Sequence, residues 1–418
     1  MGRREKAALV GLVSGHARRL EAERSMDELA GLADAAGADV VLRVLQERAK
    51  PDPATYLGSG KVQSLSVSCS ETAADLVIVD GELTPAQLRQ LEKQVGLKIL
   101  DRTQLILDIF ARRAQTREGK LQVELAQLKY LLPRLAGSSD ALSRLGGGIG
   151  TRGPGETKLE SDRRRIRTRI HSMSEDIERV RQRRAQLRER RHKAAVPTVA
   201  LVGYTNAGKT TLFNLLAGAH AAASNALFVT LDPLVRQVRL PDNRDLLVSD
   251  TVGFIDRLPH ALVAAFRATL EEVVGADLVL HIIDAAAPDR DRRMRAVQQV
   301  LEEIGATGMP IIEVFNKCDQ LTVDERRRLQ NSDPAALCIS AVQRDGVDEL
   351  VETIASRLAL DVRRVTLTFD PESPDDRQRI AQLYRLARVL VHETRDDRVS
   401  IVADIPRRLL ARFQPNAR

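Results

Sequence analysis

The apolar run TVALVG, Thr198 to Gly203, leads without a break into Gly203-Tyr204-Thr205-Asn206-Ala207-Gly208-Lys209-Thr210, and the helical stretch TTLFNLLAG follows. No other stretch narrows the fold so far. A G-x-x-x-x-G-K-[ST] pattern between a strand and a helix calls for a loop whose backbone N–H groups converge on phosphate oxygens at a helix N-terminus. Such a loop belongs to a mostly parallel sheet with helices on both faces. In that setting Lys209 reaches the β- and γ-phosphates and Thr210 offers its hydroxyl to Mg2+, with Thr211 beside it in the cofactor-binding set.

The same half of the chain supplies the rest of a guanine-nucleotide site, in order and at strand ends. Asp250-Thr251-Val252-Gly253 closes the apolar run DLLVSD; Asp250 would hold Mg2+ through water, and the Gly253 N–H would sense a γ-phosphate. Asn316-Lys317-Cys318-Asp319 closes IIEVFN. A carboxylate at Asp319 accepts from guanine N1–H and the 2-amino group, whereas adenine offers an acceptor at N1 and no amine at C2, so GTP is selected over ATP. Ser340-Ala341, followed by Val342, would present backbone N–H to guanine O6. Between the P-loop helix and Asp250, the segment Phe228-Val229-Thr230-Leu231-Asp232 offers Thr230 as the hydroxyl that completes a Mg2+ shell, the plain alternative being a strand threonine. The set predicts GTP as substrate, Mg2+ as cofactor, hydrolysis as the reaction, and Lys209, Thr230 and Gly253 as catalytic groups. Where many related enzymes carry a water-orienting glutamine, position 254 is Phe, which makes no hydrogen bond. Slow intrinsic hydrolysis, triggered by a partner, is the expectation.

Around this domain the pattern is α/β multidomain. Residues 1–100 read as a small α/β domain, with strands ADVVLRVLQ and DLVIVD and a helix opened by Thr84 and Pro85. Residues 101–195 read as an antiparallel helical hairpin: Leu121, Leu125, Leu128, Leu132 and Leu135 form one heptad seam, and Leu159, Ile166, Ile170, Met173, Ile177, Val180 and Leu187 another, lapsing at Arg163 and Arg184. A glycine-rich tip, 136–158, joins them. Its Gly148, Gly150 and Gly153 spell G-x-G-x-x-G, but without the preceding strand and βαβ unit of a dinucleotide site. Residues 196–362 form the P-loop domain, and 363–418 a small C-terminal α/β module read as strand, helix, strand. Gly58-Ser59-Gly60-Lys61 is half a P-loop and reads as a structural turn.

Charge is concentrated in one place. Arg163 to Lys193 holds twelve arginines and one lysine against four acids, a surplus larger than the net +7 of the whole chain. With so few acids for i,i+4 pairing, contact with a phosphate backbone explains the segment better than a solvated face. Only 3% of residues are aromatic and none is Trp, which argues against a base-stacking platform. Cys69, Cys318 and Cys338 form no disulfide framework or zinc motif, and no apolar run is long enough to span a membrane. A cytoplasmic monomer is expected.

With those residues laid out, the chain resembles the HflX family of translational GTPases. The resemblance is carried by PDPATYLGSGKV, by LDRTQLILDIFARRAQTREGKLQVELAQLKYLLPRL, by SRLGGGIGTRGPGETKLESDRRR, by GYTNAGKTTLFN and LFVTLDP, and by DTVGFIDRLPHALVAAFRATLEE. It spans nearly all of residues 30–320 and weakens in the C-terminal module. It implies a GTPase that binds the large (50S) ribosomal subunit and splits or remodels ribosomes, in stress rescue or subunit maturation. The N-terminal domain and hairpin would touch rRNA, the tip reaching toward the peptidyl transferase centre. By motif match, Thr230 becomes the switch I Mg2+ ligand. Thr210 stands where Ser is usual, Val229 where Ala is usual, and Asn225 where an acidic or amide residue is usual; no required group is lost. Two other functions stay open: a GTP-regulated RNA chaperone acting through the basic hairpin, and a protein-scaffold switch without RNA.

Overall fold

The computed structural model describes residues 3–13, 19–135, 158–194, 196–219, 227–228, 230–240, 245–256, 272–306, 308–332, 336–359, 362–395, 398–406 and 409–413. The glycine-rich tip, Asn225, Val229 and residues 257–271 lie outside them. The chain forms two compact units, one running from the N-terminus to Arg181 and rejoined by the stretch that ends at Asp232, the other taking most of the remainder.

The first unit is built on a four-stranded parallel sheet, order β2-β1-β3-β4, from β1 (Glu5–Val13), β2 (Ala38–Glu47), β3 (Leu76–Val79) and β4 (Lys98–Asp101). Ala7 to Val10 of β1 and all of β3 are buried, the continuous apolar pattern of strands covered on both faces. Neither β1 nor β4 stands out in the sequence, because one is hidden in a basic N-terminus and the other is four residues long.

Its helices are α1 (Arg19–Ala35), α2 (Ser59–Glu71), α3 (Pro85–Val95), α4 (Arg102–Arg113), α5 (Arg117–Leu131) and α6 (Lys158–Ala194), the last continuing into the second unit. Gly58 is the N-cap of α2, so Gly58-Ser59-Gly60-Lys61 opens a helix rather than a turn. Thr84 and Gln87 form a reciprocal capping box on α3, with Pro85 in the first turn. Asp101 caps α4, accepting from Gln104 N at 2.9 Å. The buried Arg102 bridges Asp80 (2.9 Å) and Glu28, fastening α1 to the ends of β3 and β4.

Helices α5 and α6 are the two arms that the heptad seams predict. The face that α5 buries is Gln122, Val123, Leu125, Ala126 and Tyr130, offset from the leucine seam, because α5 also packs on α4. Leu132 and Leu135 leave the helix in a 3-10 turn. Leu121 lines a groove against α6 together with Arg164, Thr168, Arg169 and Met173. On α6, Ile166, Ile170, Met173, Ile177 and Val180 are sheltered in heptad rhythm. At 37 residues the helix is about 55 Å long.

The second unit holds a six-stranded sheet, order β10-β9-β8-β5-β7-β6, parallel except for the β6–β7 pair. Its strands are β5 (Thr198–Gly203), β6 (Leu234–Arg239), β7 (Asp245–Asp250), β8 (Leu278–Asp284), β9 (Ile311–Asn316) and β10 (Leu337–Cys338). The described helices around it are α7 (Lys209–Ala217), α8 (Arg290–Glu303), α9 (Val323–Ser332) and α10 (Val347–Ala359).

The C-terminal module is a three-stranded antiparallel sheet, β11 (Val362–Phe369), β13 (Arg398–Pro406) and β12 (Arg388–Arg395) in that order, with α11 (Pro374–Leu386) and α12 (Leu410–Phe413). This corrects the expected strand-helix-strand. The helix stops at Leu386, and the β-branched run after it pairs with β13 as a further strand. Among the described residues, no helix is long and apolar enough to cross a membrane.

Candidate functional site

Strand β5 ends at Gly203 with φ 153°, and Gly208 enters α7 with φ 92°, both in backbone space where a side chain is strained. A Cβ on Gly203 would meet the Ile282 carbonyl, and one on Gly208 would overlap the Asn316 amide. The two glycines let the loop fold back over α7. Lys209 is buried beneath it, its Nζ donating to the carbonyls of Gly203 (3.0 Å) and Tyr204 (2.8 Å). Burial pulls its pKa down to about 8, against the opposing pull of Asp250.

Thr210 Oγ1 lies 2.9 Å from Asp250 Oδ2 at the end of β7. A hydroxyl and a buried carboxylate in contact are the hard oxygen donors that Mg2+ prefers. Three residues beyond the carboxylate, a Cβ on Gly253 would stand 2.9 Å from Thr205 Cα and 3.1 Å from Lys209 Nζ. Any larger side chain there would press on the Thr205 backbone.

The base-reading loops are sewn to the P-loop by one side chain. Asn316 Nδ2 donates to Ala207 O (2.9 Å), and its Oδ1 accepts from Ala341 N (3.0 Å). Lys317 adopts φ 65° and pairs with Asp284 at 2.7 Å. Asp319 is exposed, and Cys318 is buried with its thiol pushed up to about 12, by burial first and by Cys338 next. Ser340 N donates to Asp345 O, so with Ala341 N engaged by Asn316, both backbone N–H groups expected to face guanine O6 have partners within the protein.

Three family models match in succession: a GTP-binding GTPase N-terminal region over residues 23–111, a GTP-binding GTPase middle region over 113–191, and a 50S ribosome-binding GTPase over 198–317. The chain is 48% identical over 369 residues to GTPase HflX of Caldanaerobacter subterraneus subsp. tengcongensis, covering 88% of this chain and 84% of that protein. The chain belongs to the HflX GTPase family. It is 43% identical over 404 residues to GTPase HflX of Escherichia coli (strain K12), covering 96% and 94% respectively. A solved GTP-binding protein from Sulfolobus solfataricus in complex with GDP covers 84% of this chain and 98% of its own at 25% identity, with a TM-score of 0.44. As a member of the HflX family, with a GTPase model matched over residues 198–317, this chain binds GTP and hydrolyses it, on a P-loop GTPase fold.

In this HflX chain Phe254 is almost fully buried, and its backbone is tied to the P-loop on both sides: Phe254 N donates to Gly203 O (3.1 Å), and Thr205 N donates to Phe254 O (2.7 Å). Neither its chemistry nor its direction suits it to orient water. Sequence reasoning missed the lattice that follows. Tyr204 Oη accepts from Asp256 N (2.7 Å), Asp256 pairs with Arg292 (2.8 Å), and Arg292 and Arg293 both hold Asp289. The Arg293 guanidinium lies 5.0 Å from the Tyr204 ring centroid. The run of charge at Asp289 to Arg293 was its available signal. His281 in β8, also missed, is buried and pulled down to about 4, mainly by desolvation and then by Lys209.

The described residues of the expected switch I segment pack within the N-terminal unit. Phe228 is buried, its ring 4.7 Å from that of Phe110 at 77°. Asp232, counted among the cofactor-binding candidates, gives its carboxylate to Gln115 N (2.9 Å), Thr116 N (2.9 Å) and the Thr116 hydroxyl. Thr230 is half-buried between these two anchors.

Proposed function

We propose that this HflX GTPase is a switch that engages the 50S ribosomal subunit and its rRNA in the GTP state and helps split or remodel ribosomes, in stress rescue or subunit maturation. The observation that carries the reading is a GTPase site in one chain with a long helix, α6, on which the acids among the described side chains are already engaged while exposed arginines outnumber them. Glu175 pairs with His171 and Arg179, Asp176 with Arg179, and Glu178 with Arg181. Arg165 pairs with Asp162 and Arg169 with Glu124 of α5, and both stay exposed beside Arg164 and Arg167, suited to phosphate oxygens. The work divides among an N-terminal domain (1–100), a hairpin (101–195), a GTPase domain (196–362) and a C-terminal module (363–418), in a cytoplasmic monomer.

In the GTPase domain, backbone N–H groups from Gly203 to Thr211 cradle the phosphates and Lys209 spans the β- and γ-oxygens. Thr210 and Thr230 would hold Mg2+ directly and Asp250 would hold it through water; an ion held there would supply positive charge to offset that of the phosphates. Gly253 N–H meets the γ-phosphate. Thr251 and Val252 flank it, and the stretch Phe228 to Asp232 brings Thr230 to it, while Asn316 to Asp319 and Ser340 to Val342 surround the base. With Phe254 turned inward, the group that aligns water comes from the ribosome or from a rearrangement that it drives.

The test is sedimentation of lysate with a non-hydrolysable GTP analogue or with GDP. Comigration with 50S or 70S particles in the analogue alone is expected, together with faster hydrolysis when purified 50S subunits are added. Protein remaining at the top of the gradient in both states, with hydrolysis indifferent to 50S, overturns the proposal and leaves the free-RNA chaperone reading.

A further inference from the structure

Gly31 and Gly119 of the N-terminal unit sit inside helices, where a glycine weakens the helix by about 1 kcal/mol relative to alanine. A Cβ on Gly119, in the first turn of α5, would overlap the Asp232 carboxylate. A Cβ on Gly31, in α1, would press on Leu227 at 3.2 Å. Both leave room for the same incoming segment, which brings Thr230. That segment is held on each side of the threonine: Phe228 stacks edge-on to Phe110 of α4, and Asp232 lies across the start of α5.

The Asp232 contact is built for an anion. Thr116 is the N-cap of α5, its hydroxyl accepting from Gly119 N at 2.9 Å while donating to Asp232. The carboxylate also takes the Gln115 and Thr116 N–H groups, at the end of the helix where the dipole favours negative charge. Each of these hydrogen bonds has a charged acceptor, the stronger kind.

We propose that Asp232 and Thr116 are positioning residues of the GTPase reaction, which fix Thr230 by clamping switch I onto the N-terminal unit. This rests on Thr230 being the switch I ligand of Mg2+. A loop pinned two residues to either side of its functional hydroxyl surrenders little further conformational freedom when that hydroxyl is engaged. GTP, which recruits Thr230, gains from the clamp; GDP, which does not, is indifferent. The nucleotide state is thereby tied to α4 and to α5, the first arm of the hairpin.

The test uses the full chain and four variants: Thr230→Ala, Asp232→Ala, Thr116→Val and Gly119→Ala. The affinity of a non-hydrolysable GTP analogue is compared with that of GDP across a Mg2+ titration, and single-turnover hydrolysis is followed alongside. We expect Asp232→Ala and Gly119→Ala each to lower the GTP-to-GDP affinity ratio about tenfold and to raise the Mg2+ needed for half-maximal binding, with GDP affinity unchanged. Thr116→Val moves the ratio the same way by less, since the backbone donors remain, and Thr116→Ser restores it. The Asp232→Ala/Thr116→Val pair is expected to be non-additive.

Gly119→Ala guards against misfolding, because alanine favours the helix and its thermal transition should not fall. If Thr230→Ala lowers the ratio while Thr116→Val and Gly119→Ala do not, the clamp is refuted and the Mg2+ assignment survives. If Thr230→Ala itself changes nothing, the Mg2+ assignment fails first. A ratio that rises in the clamp variants also overturns the proposal.

Discussion

Asn316 offers a clean way to ask whether the base-reading loops and the phosphate loop form one body. Its amide donates to Ala207 O and accepts from Ala341 N, with all three residues buried. In Asn316→Ala both backbone groups lose their partner, and the short side chain leaves no room for a substitute of equal reach. A buried backbone group left unpaired costs about 1–3 kcal/mol, so two cost about 2–6 kcal/mol. Even the lower figure corresponds to about a 30-fold loss of nucleotide affinity if the strain is relieved by letting the loops part. GTP and GDP should weaken together, because Asn316 faces neither the γ-phosphate nor the Mg2+ donors. The assay is fluorescent-nucleotide binding for both nucleotides, with urea unfolding of the same protein. Affinities within threefold of the parent, with an unchanged unfolding midpoint, would refute the reasoning.

Three further outcomes follow from the site. Asp319→Asn should shift preference from guanine toward xanthine, whose C2 carbonyl needs a donor; competition binding with the two nucleotides reads this directly, and unmoved selectivity removes Asp319 from the base site. Lys209 loses its proton as pH rises through about 8, so GTP affinity should be flat below pH 7.5 and fall above 8, by up to tenfold per unit, while His281, held near 4, stays neutral throughout. Affinity unchanged between pH 7.5 and 9 would contradict that assignment. Phe254→Gln should not accelerate single-turnover hydrolysis, since the backbone bonds to Gly203 and Thr205 aim position 254 into the core, and it should destabilise by about 3 kcal/mol or more.

The phosphate loop, the two carboxylates at Asp250 and Asp319, and Asn316 were legible because each lies at a strand end whose apolar run announces it. The two helical arms were legible because charge and heptad rhythm coincide on Ile166 to Val180. Strand β12 was not: ARVLVHE continues a helical composition, and only pairing with β13 makes it a strand. The Tyr204–Asp256–Arg292 lattice and the Asp232–Thr116 contact were hidden for another reason. Their partners stand 36 to 116 residues apart, and a lone Asp or Thr carries no local signature of whom it meets.

The antiparallel pair β6–β7 has a practical consequence. Its register sets Leu234 opposite Asp250 at one end and Arg239 opposite Asp245 at the other, where the two side chains pair at 3.2 Å. Switch I enters the ribbon at the first end, and switch II leaves from it. Lengthening the connection between Arg239 and Asp245 therefore adds chain at the end remote from both switches, at a loop-closure penalty that grows only with the logarithm of its length. Removing one residue inside β6 would instead turn every later side chain of that strand to the opposite face. The ribbon thus offers a place to insert an epitope or fluorophore that reports on this GTPase while its switches keep their register.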